Sequence, residues 1–102
     1  YRRICYLESR NHKLVIKTEL EEYSLYGKLD EEEERLQAAG GMFFRIHKSY
    51  IVNYWHIHWL DGSAVEMVNG ETLPVSDAYR ERLRREYWQY TEKIRQKLHR
   101  SI

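Results

Sequence analysis

The most distinctive chemistry of the chain lies in one run, Phe43 to Asn53, which reads Phe-Phe-Arg-Ile-His-Lys-Ser-Tyr-Ile-Val-Asn. Its apolar residues are aromatic or β-branched, which is typical of strands. They flank a polar insert, His47-Lys48-Ser49. An imidazole, a cation and a hydroxyl at a bend between strands are suited to contacts with phosphates and base edges. By itself, the run predicts a basic turn on a small sheet.

Other chemistry has weaker support in the sequence. His56 and His58 lie two residues apart in a predicted strand, where they would share a face and could chelate a metal. Cys5 lies far away in sequence, so no third ligand is obvious. No glycine-rich phosphate loop or Ser-His-Asp order is recognisable, and we therefore expect no enzyme, metal or cofactor. The tryptophans are interpreted as core or interface anchors: Trp55, Trp59 and Trp88.

Length and composition restrict the class of protein. The chain has 102 residues, of which 42% are apolar and 32% are charged, and this suits one domain with a modest core. No run reaches the roughly 18 apolar residues of a membrane span, and no secretory signal is visible. Cys5 is the only cysteine, so no internal disulfide is possible, and we expect a reducing cytoplasm. Because the chain begins almost inside a strand, we interpret it as a fragment.

Charge is segregated along the chain although the net charge is only +1. The segment from Asp77 to the end has eight basic and four acidic residues, whereas the remainder has nine basic and twelve acidic residues. Such a distribution permits a local anion-binding face, or simply a solvated basic helix. The four consecutive glutamates at 31–34 are interpreted as a solvated helix face. They would repel DNA phosphates, so this face should point away from any duplex.

The first half of the chain is predicted to form strands and one short helix. The expected strands are Ile4–Glu8, Lys13–Thr18 and Glu21–Leu25. A polar bend at 9–12 joins the first two strands into a hairpin. Leu29–Ala39 is helical by composition, with acidic residues in its first turn, where the helix dipole favours them. Gly40-Gly41 should end this helix, with glycine in the left-handed cap position.

The second half is predicted to form a β-meander and a long helix. Tight turns at Asp61-Gly62 and Asn69-Gly70 separate three predicted strands: Tyr54–Leu60, Ala64–Val68 and Thr72–Val75. Pro74 cannot donate to a sheet ladder, so it should lie at an edge or a strand end. The pattern therefore predicts a mostly β member of the α+β class, with antiparallel hairpins, one short acidic helix and a long C-terminal helix.

The final helix is expected from about Asp77 to Leu98, with Ser76 suited to its N-cap. Its apolar residues recur every three or four positions and form one stripe: Tyr79, Leu83, Tyr87, Tyr90, Ile94 and Leu98. At about 1.5 Å per residue, this helix is roughly 33 Å long. That length exceeds what a small sheet can cover. We expect its second half to pack on another domain, on a second copy or against DNA.

Four blocks resemble the LytTR-type DNA-binding domains, the output domains of many bacterial response regulators. The blocks are Tyr6-Leu7-Glu8-Ser9 with His12, Gly27-Lys28-Leu29 with its acidic helix, the run from Phe43 to Asn53, and Leu73-Pro74-Val75-Ser76. The third block is the specific one. The resemblance covers roughly Ile4 to Arg84. It implies a LytTR-like domain at 1–86, with 87–102 as a helical extension continuous with the last helix.

The resemblance implies that loops between strands, rather than a recognition helix, bind DNA. The implied base contacts are His12, Lys48, Asp77 and Arg80. The implied phosphate contacts are Arg10, Asn11, Lys13, Arg45, Ser49 and Ser76. Many relatives carry an arginine near Asp77, so this carboxylate departs from the pattern. Either it accepts from cytosine N4, or Arg80 supplies the cation from one turn along.

Several of these residues have a structural alternative. His12 could be an ordinary exposed loop residue, and Ser76 could serve only as a helix cap. Arg45 is either a phosphate contact or part of an ion pair on the sheet face. His47, which is frequent in the family signature, is interpreted chiefly as a brace for its loop.

The sequence thus predicts sequence-specific binding of double-stranded DNA by the output domain of a bacterial transcriptional regulator of the two-component type. By resemblance, we expect paired direct repeats with two protomers per site, and a receiver or sensor domain before this fragment. The alternative is a protein–protein interaction or dimerisation module that uses the C-terminal helix. We expect no membrane partner.

Overall fold

The chain folds into antiparallel strands and two helices in a computed structural model that describes residues 2–101 and the side chains of residues 2–99. The elements are β1 (Ile4–Arg10), β2 (Lys13–Thr18), β3 (Glu22–Tyr26), α1 (Leu29–Ala38), β4 (Phe43–His47), β5 (Tyr50–Asn53), β6 (Ile57–Leu60), β7 (Ala64–Met67), β8 (Thr72–Pro74) and α2 (Asp77–Ser101). A 3₁₀ turn, Tyr54–His56, joins β5 to β6. The predicted mostly β, α+β class is confirmed.

A five-stranded sheet has the order β3-β2-β1-β5-β4. β1 lies at its centre and pairs antiparallel with its sequence neighbour β2 on one side and with β5 on the other. In the second pairing Glu8 lies opposite Tyr50. This non-sequential pairing is decisive for the site, because it places the β1–β2 hairpin beside the turn between β4 and β5.

A three-stranded meander, β6-β7-β8, forms the second sheet. Its two turns are the predicted ones. The Asp61 carboxylate accepts from the backbone N–H groups of Ser63 and Ala64, and Gly70 has a positive φ of 93° that suits a tight turn. Pro74 ends the edge strand β8, as predicted from its missing N–H group.

The five-stranded sheet is covered on both faces, and successive residues of its strands alternate between two cores. The core under α1 contains Leu7, Leu14, Leu29, Leu36, Phe43 and Ile51. The core between this sheet, the meander and α2 contains Cys5, Tyr6, Phe44, Ile46, Val52, Val65, Met67, Leu73, Val75 and Leu83. The adjacent residues Phe43 and Phe44 therefore anchor β4 to both cores.

The apolar stripe of α2 is buried only along the first part of the helix. Leu83 is 2% exposed, and Tyr87 and Tyr90 pack against the core, whereas Leu98 is 62% exposed. The helix outruns the sheet, as its length predicts. The tryptophans are also exposed, so they are not core anchors, and their alternative role as interface anchors stays a prediction: Trp55, Trp59 and Trp88.

His56 is buried in the 3₁₀ turn, where its Nε2 lies 2.6 Å from the carbonyl oxygen of Arg2 and its Nδ1 lies 3.4 Å from Cys5 Sγ. Burial raises the pKa of the Cys5 thiol. His58 lies in β6 and is exposed. Within the described residues no three metal-ligating side chains come together. Neither helix in residues 2–101 is long and apolar enough to cross a membrane.

Candidate nucleic-acid interface

The first loop of the site is the two-residue tip of the β1–β2 hairpin. Asn11 and His12 have φ angles of 51° and 64°, between the paired residues Arg10 and Lys13. Two successive positive φ angles are the geometry of a type I′ turn, whose twist matches that of the flanking strands. The hairpin is therefore tighter than the four-residue bend expected from the sequence. Both tip residues are exposed, and His12 is a side chain that a ligand can reach.

The second loop is the Lys48-Ser49 turn between β4 and β5. The backbone N–H of Ser49 donates to His47 Nδ1 at 3.1 Å, and the His47 ring packs edge-on against Tyr50. This arrangement agrees with the predicted bracing role of His47. The carbonyl oxygen of Ser49 accepts from the backbone N–H of Ser9 at 2.9 Å, so this turn is joined to β1 as well. Lys48 itself is exposed.

The guanidinium of Arg45 lies beneath the Lys48 turn and is 5% exposed. Its Nε donates to the carbonyl oxygen of His47 at 2.8 Å, and its Nη2 donates to that of Lys48 at 2.6 Å. Its Nη1 donates to the carboxylates of Asp30 at 2.7 Å and Glu33 at 3.1 Å. These four acceptors engage all the donor nitrogens of Arg45, although the residue also lines the groove described below. Of the two alternatives for Arg45, the structure supports the ion pair.

A shallow groove of about 320 Å³ brings the two loops together. His12 and Lys48, the base contacts implied for two separate loops, both line it. Lys28 and Asp30 line it too, from the start of α1. The sequence interpretation did not assign Lys28 to the site. The signal that could have found it is its position in one of the four family blocks, directly before the acidic helix.

The third loop, at the start of α2, lies beside β4. The backbone N–H of Ser76 donates to the carbonyl oxygen of Ile46 at 3.0 Å, and α2 begins at the next residue. Arg80 donates from Nη2 to Asp77 Oδ1 at 2.5 Å and from Nε to the carbonyl oxygen of Gly62 at 2.7 Å. The Asp77 carboxylate and the Arg80 guanidinium therefore neutralise each other in an exposed pair.

The predicted cations fall into two groups. The arginines have carboxylate partners: Arg45, Arg80, and Arg10, which donates to Glu8 and Glu22. The hydrogen bonds that Arg10 donates to these two glutamates raise the pKa of Arg10, which is held as a paired charge. The lysines around the groove form no ion pair within the described residues: Lys13, Lys28 and Lys48. Lys13 Nζ lies 5.5 Å from the ring centroid of Tyr26.

These features describe a small α+β domain with a basic groove between two β-turns at one end of an antiparallel sheet. The LytTr DNA-binding domain family model matches residues 1–88. A solved structure from Bacillus cereus, a LytTr DNA-binding domain assigned to a methyl-accepting/DNA response regulator, is 30% identical. That similarity covers 83% of this chain and 81% of that chain, with a TM-score of 0.72. No match was found among curated proteins.

The chain belongs to the LytTR family of DNA-binding domains, and the resemblance seen in its sequence is confirmed. DNA is therefore its partner class, and the loops described above are the candidate contact surface.

Proposed function

We propose that this domain binds double-stranded DNA in a sequence-specific manner as the output domain of a bacterial transcriptional regulator of the response-regulator type. The observation that carries the proposal is the groove shared by His12 and Lys48, which two different hairpins contribute. A single surface with a hydrogen-bonding ring and an unpaired amine is suited to a base edge and the adjacent backbone.

The roles of the side chains follow from their exposure and pairing. His12 is the candidate base reader of the first loop. Lys48 is the candidate base contact of the second loop, and its amine can also neutralise the phosphate beside that base. Lys13 and Lys28 have amines without carboxylate partners and are suited to phosphates. The other polar residues proposed to contact the DNA phosphates are Asn11, Ser49 and Ser76. Arg10 is proposed as well, although its guanidinium is paired with Glu8 and Glu22.

The third loop reads bases only if its own ion pair opens. Exposed ion pairs contribute on the order of 0–1 kcal/mol, so DNA can compete for Arg80. Asp77 then either accepts from a cytosine amino group or remains a source of repulsion. This pair is the part of the site at which the domain departs from the family pattern.

The larger assembly also belongs to this proposal. We propose that two protomers occupy paired direct repeats in the cytoplasm, and that a receiver or sensor domain precedes this domain in the regulator. Residues 1–86 would form the DNA-binding domain and 87–102 its helical extension. The unbroken course of α2 through residue 87 is compatible with this division.

The test is selection of bound sites from random duplexes at stated salt, followed by titration of the selected site. We expect Lys48→Ala to weaken binding and to reduce the slope of log affinity against log salt by about one phosphate contact. His12→Ala should relax base preference at one position, with a cost of about 1–3 kcal/mol. Lys93→Ala, an exposed lysine on the distal part of α2, is the control for a lost charge. Recovery of no shared motif would refute sequence specificity.

One observation favours a second function, a protein interaction module. An open groove of about 420 Å³ on the distal part of α2 is lined by Tyr54, Ile94 and Leu98, among others. If this surface binds protein, Leu98→Lys should abolish self-association or partner binding and leave the affinity for isolated DNA half-sites unchanged. Equilibrium sedimentation of the wild type and of Leu98→Lys measures self-association, and the DNA titration measures half-site affinity.

A further inference from the structure

We propose that Asp30 and Glu33, two carboxylates of the acidic helix α1, promote DNA binding as positioning residues that act through Arg45. This inference rests on the proposed function and extends it. It assigns a favourable role to two acidic residues of a helix whose four glutamates were expected to be solvated and to repel DNA phosphates.

The geometry connects the carboxylates to the turn through one side chain. Nη1 of Arg45 bonds to Asp30 and Glu33, while Nε and Nη2 bond to the carbonyl oxygens of His47 and Lys48. Three chemically different donors on one planar group thus join α1 to the backbone that carries Lys48. The turn cannot shift relative to α1 without breaking these bonds.

The carboxylates are needed because Arg45 is buried. A guanidinium that is 5% exposed loses most of its hydration, and two backbone carbonyls do not neutralise its charge. Asp30 and Glu33 supply the compensating charge. Without them, the favoured position for Arg45 would be nearer to solvent, and the carbonyl oxygens of the turn would lose their donors.

The same group of residues reaches the start of α2. Glu33 also accepts a hydrogen bond from Arg82, which in turn donates to Glu86 at 2.7 Å. The ring centroid of Tyr79 lies 5.7 Å from Arg45. Arg45 therefore lies where α1, the Lys48 turn and the first turns of α2 meet, and it holds Lys48 in place before DNA arrives. Such preorganisation reduces the ordering cost of binding.

The proposal predicts an effect of opposite sign to that of simple electrostatics. Removing negative charge near a polyanion ordinarily raises DNA affinity or leaves it unchanged. The double variant Asp30→Asn/Glu33→Gln should instead lower it. We expect a loss of about tenfold, the scale of one charge-assisted hydrogen bond.

The matched control is Glu31→Gln/Glu34→Gln, with the same change of charge on the same helix. Within the described residues, the only ion pair of Glu31 is with the exposed Arg35, and Glu34 forms none. DNA affinity is measured for both variants at a temperature at which thermal unfolding curves show each to be folded. A lower affinity for the first variant and an equal or higher affinity for the second support the proposal. An equal rise in both overturns it.

If the double variant does not fold, Asp30→Asn alone decides the question, because its carboxylate is on the surface. Glu34→Gln is then the control variant. A lower DNA affinity for Asp30→Asn alone supports the proposal, and an equal rise in both overturns it. Wild-type chain and Lys48→Ala are titrated in parallel. Absence of duplex binding by the wild type would overturn the proposed function, whereas normal wild-type binding with no difference between the acidic variants would overturn only this inference.

A second substitution separates positioning by Arg45 from direct contact. Arg45→Lys keeps the positive charge but cannot reproduce the planar set of donors. We expect it to weaken DNA binding in the wild-type chain and to have little further effect in Lys48→Ala, because Arg45 acts through Lys48. An equal loss in both backgrounds would mean that Arg45 acts without Lys48 and would overturn the positioning role.

Discussion

The Lys48 turn and the start of α2 were both predicted to contact DNA, and they hold their arginines in different ways. Arg45 is buried and has four acceptors, and the neighbouring Lys48 is exposed without an ion pair. Arg80, by contrast, forms a surface pair with Asp77. A buried, fully bonded charge fixes backbone geometry, whereas an exposed pair can exchange partners at small cost.

The largest expected effect comes from Arg45→Met, which removes all four hydrogen bonds of the buried guanidinium. It leaves Glu33 Oε1 and the carbonyl oxygens of His47 and Lys48 without their donor, while Glu33 Oε2 keeps its bond from Arg82. We expect destabilisation of about 3–5 kcal/mol, as for other broken buried pairs, measured by urea unfolding. Arg80→Ala in the same assay should lie within about 1 kcal/mol of wild type. Similar losses for the two variants would contradict the difference between the two regions.

The next largest effect is the difference in stability loss between two leucines of the apolar stripe of α2. Leu83 lies in its buried part and Leu98 in its exposed part. Leu83→Ala should cost about 2–5 kcal/mol, because it opens a cavity in the core. Leu98→Ala should change stability by no more than about 0.5 kcal/mol, since the side chain is largely exposed. Thermal or urea unfolding measures both. A loss above 1 kcal/mol for Leu98→Ala would mean that a partner covers the distal stripe.

Alkaline pH tests a partly buried hydrogen bond, which joins β1 to the turn between β7 and β8. The Tyr6 hydroxyl donates to Glu71 at 2.5 Å, and burial together with this bond raises the pKa of Tyr6 above its ordinary value of 10.0. The folded chain thus keeps this proton at a pH at which the unfolded chain releases it. The contribution to stability is complete below pH 10 and decreases as the pH rises through the folded-state pKa, by up to about 1.4 kcal/mol per pH unit.

Urea unfolding of wild type and Tyr6→Phe between pH 8 and 11 measures this contribution. The pKa values of Tyr50, Tyr87 and Tyr90 are raised as well, chiefly by burial, so only the difference between the two chains reports on Tyr6. The two stabilities should converge as the pH increases. Parallel curves would contradict the prediction.

The smallest effect concerns the exposed pair. Asp77→Asn removes a charge beside the proposed duplex and frees Arg80, so DNA affinity should rise by a few-fold while stability changes by less than about 1 kcal/mol. Glu81→Gln, one turn along the same helix, is the matched control, since it removes the same charge but frees Arg84 instead of Arg80. An equal rise in both variants would mean that the Asp77–Arg80 pair has no specific role.

Local sequence signals predicted the elements well where the backbone itself required particular residues. Gly40 adopts a φ of 75° directly after α1, as expected for a glycine at a helix end, and Pro74 ends an edge strand. The predicted bend at 9–12 contains the two-residue tip at 11–12, and β2 has the predicted bounds, but β1 extends two residues further than predicted. Turn-forming residues locate a bend well, but they do not define the last residue that is paired in the adjoining strand.

The candidate site was predictable only in part. The family blocks brought His12 and Lys48 into consideration, and the structure places them on one groove. The family blocks did not show whether Arg45 is buried in an ion pair or contacts phosphate. They also did not indicate that Lys28 lines the groove. The exposed tryptophans show the same limit, because aromatic residues in strand-like and helical segments resemble core positions until their neighbours are known.

The sequence by itself determined the mostly β fold class, the order of hairpins and helices, and the family to which the chain belongs, because turn residues and apolar periodicity act over a few positions. Only the tertiary structure decided which basic side chains are buried or paired with a carboxylate and which are exposed without an ion pair. Pairing of β1 with β5 brought the two turns together, and packing of α1 against β4 buried Arg45 between Asp30 and Glu33. Burial and pairing depend on contacts between distant segments, and these contacts determine which cations remain available to DNA.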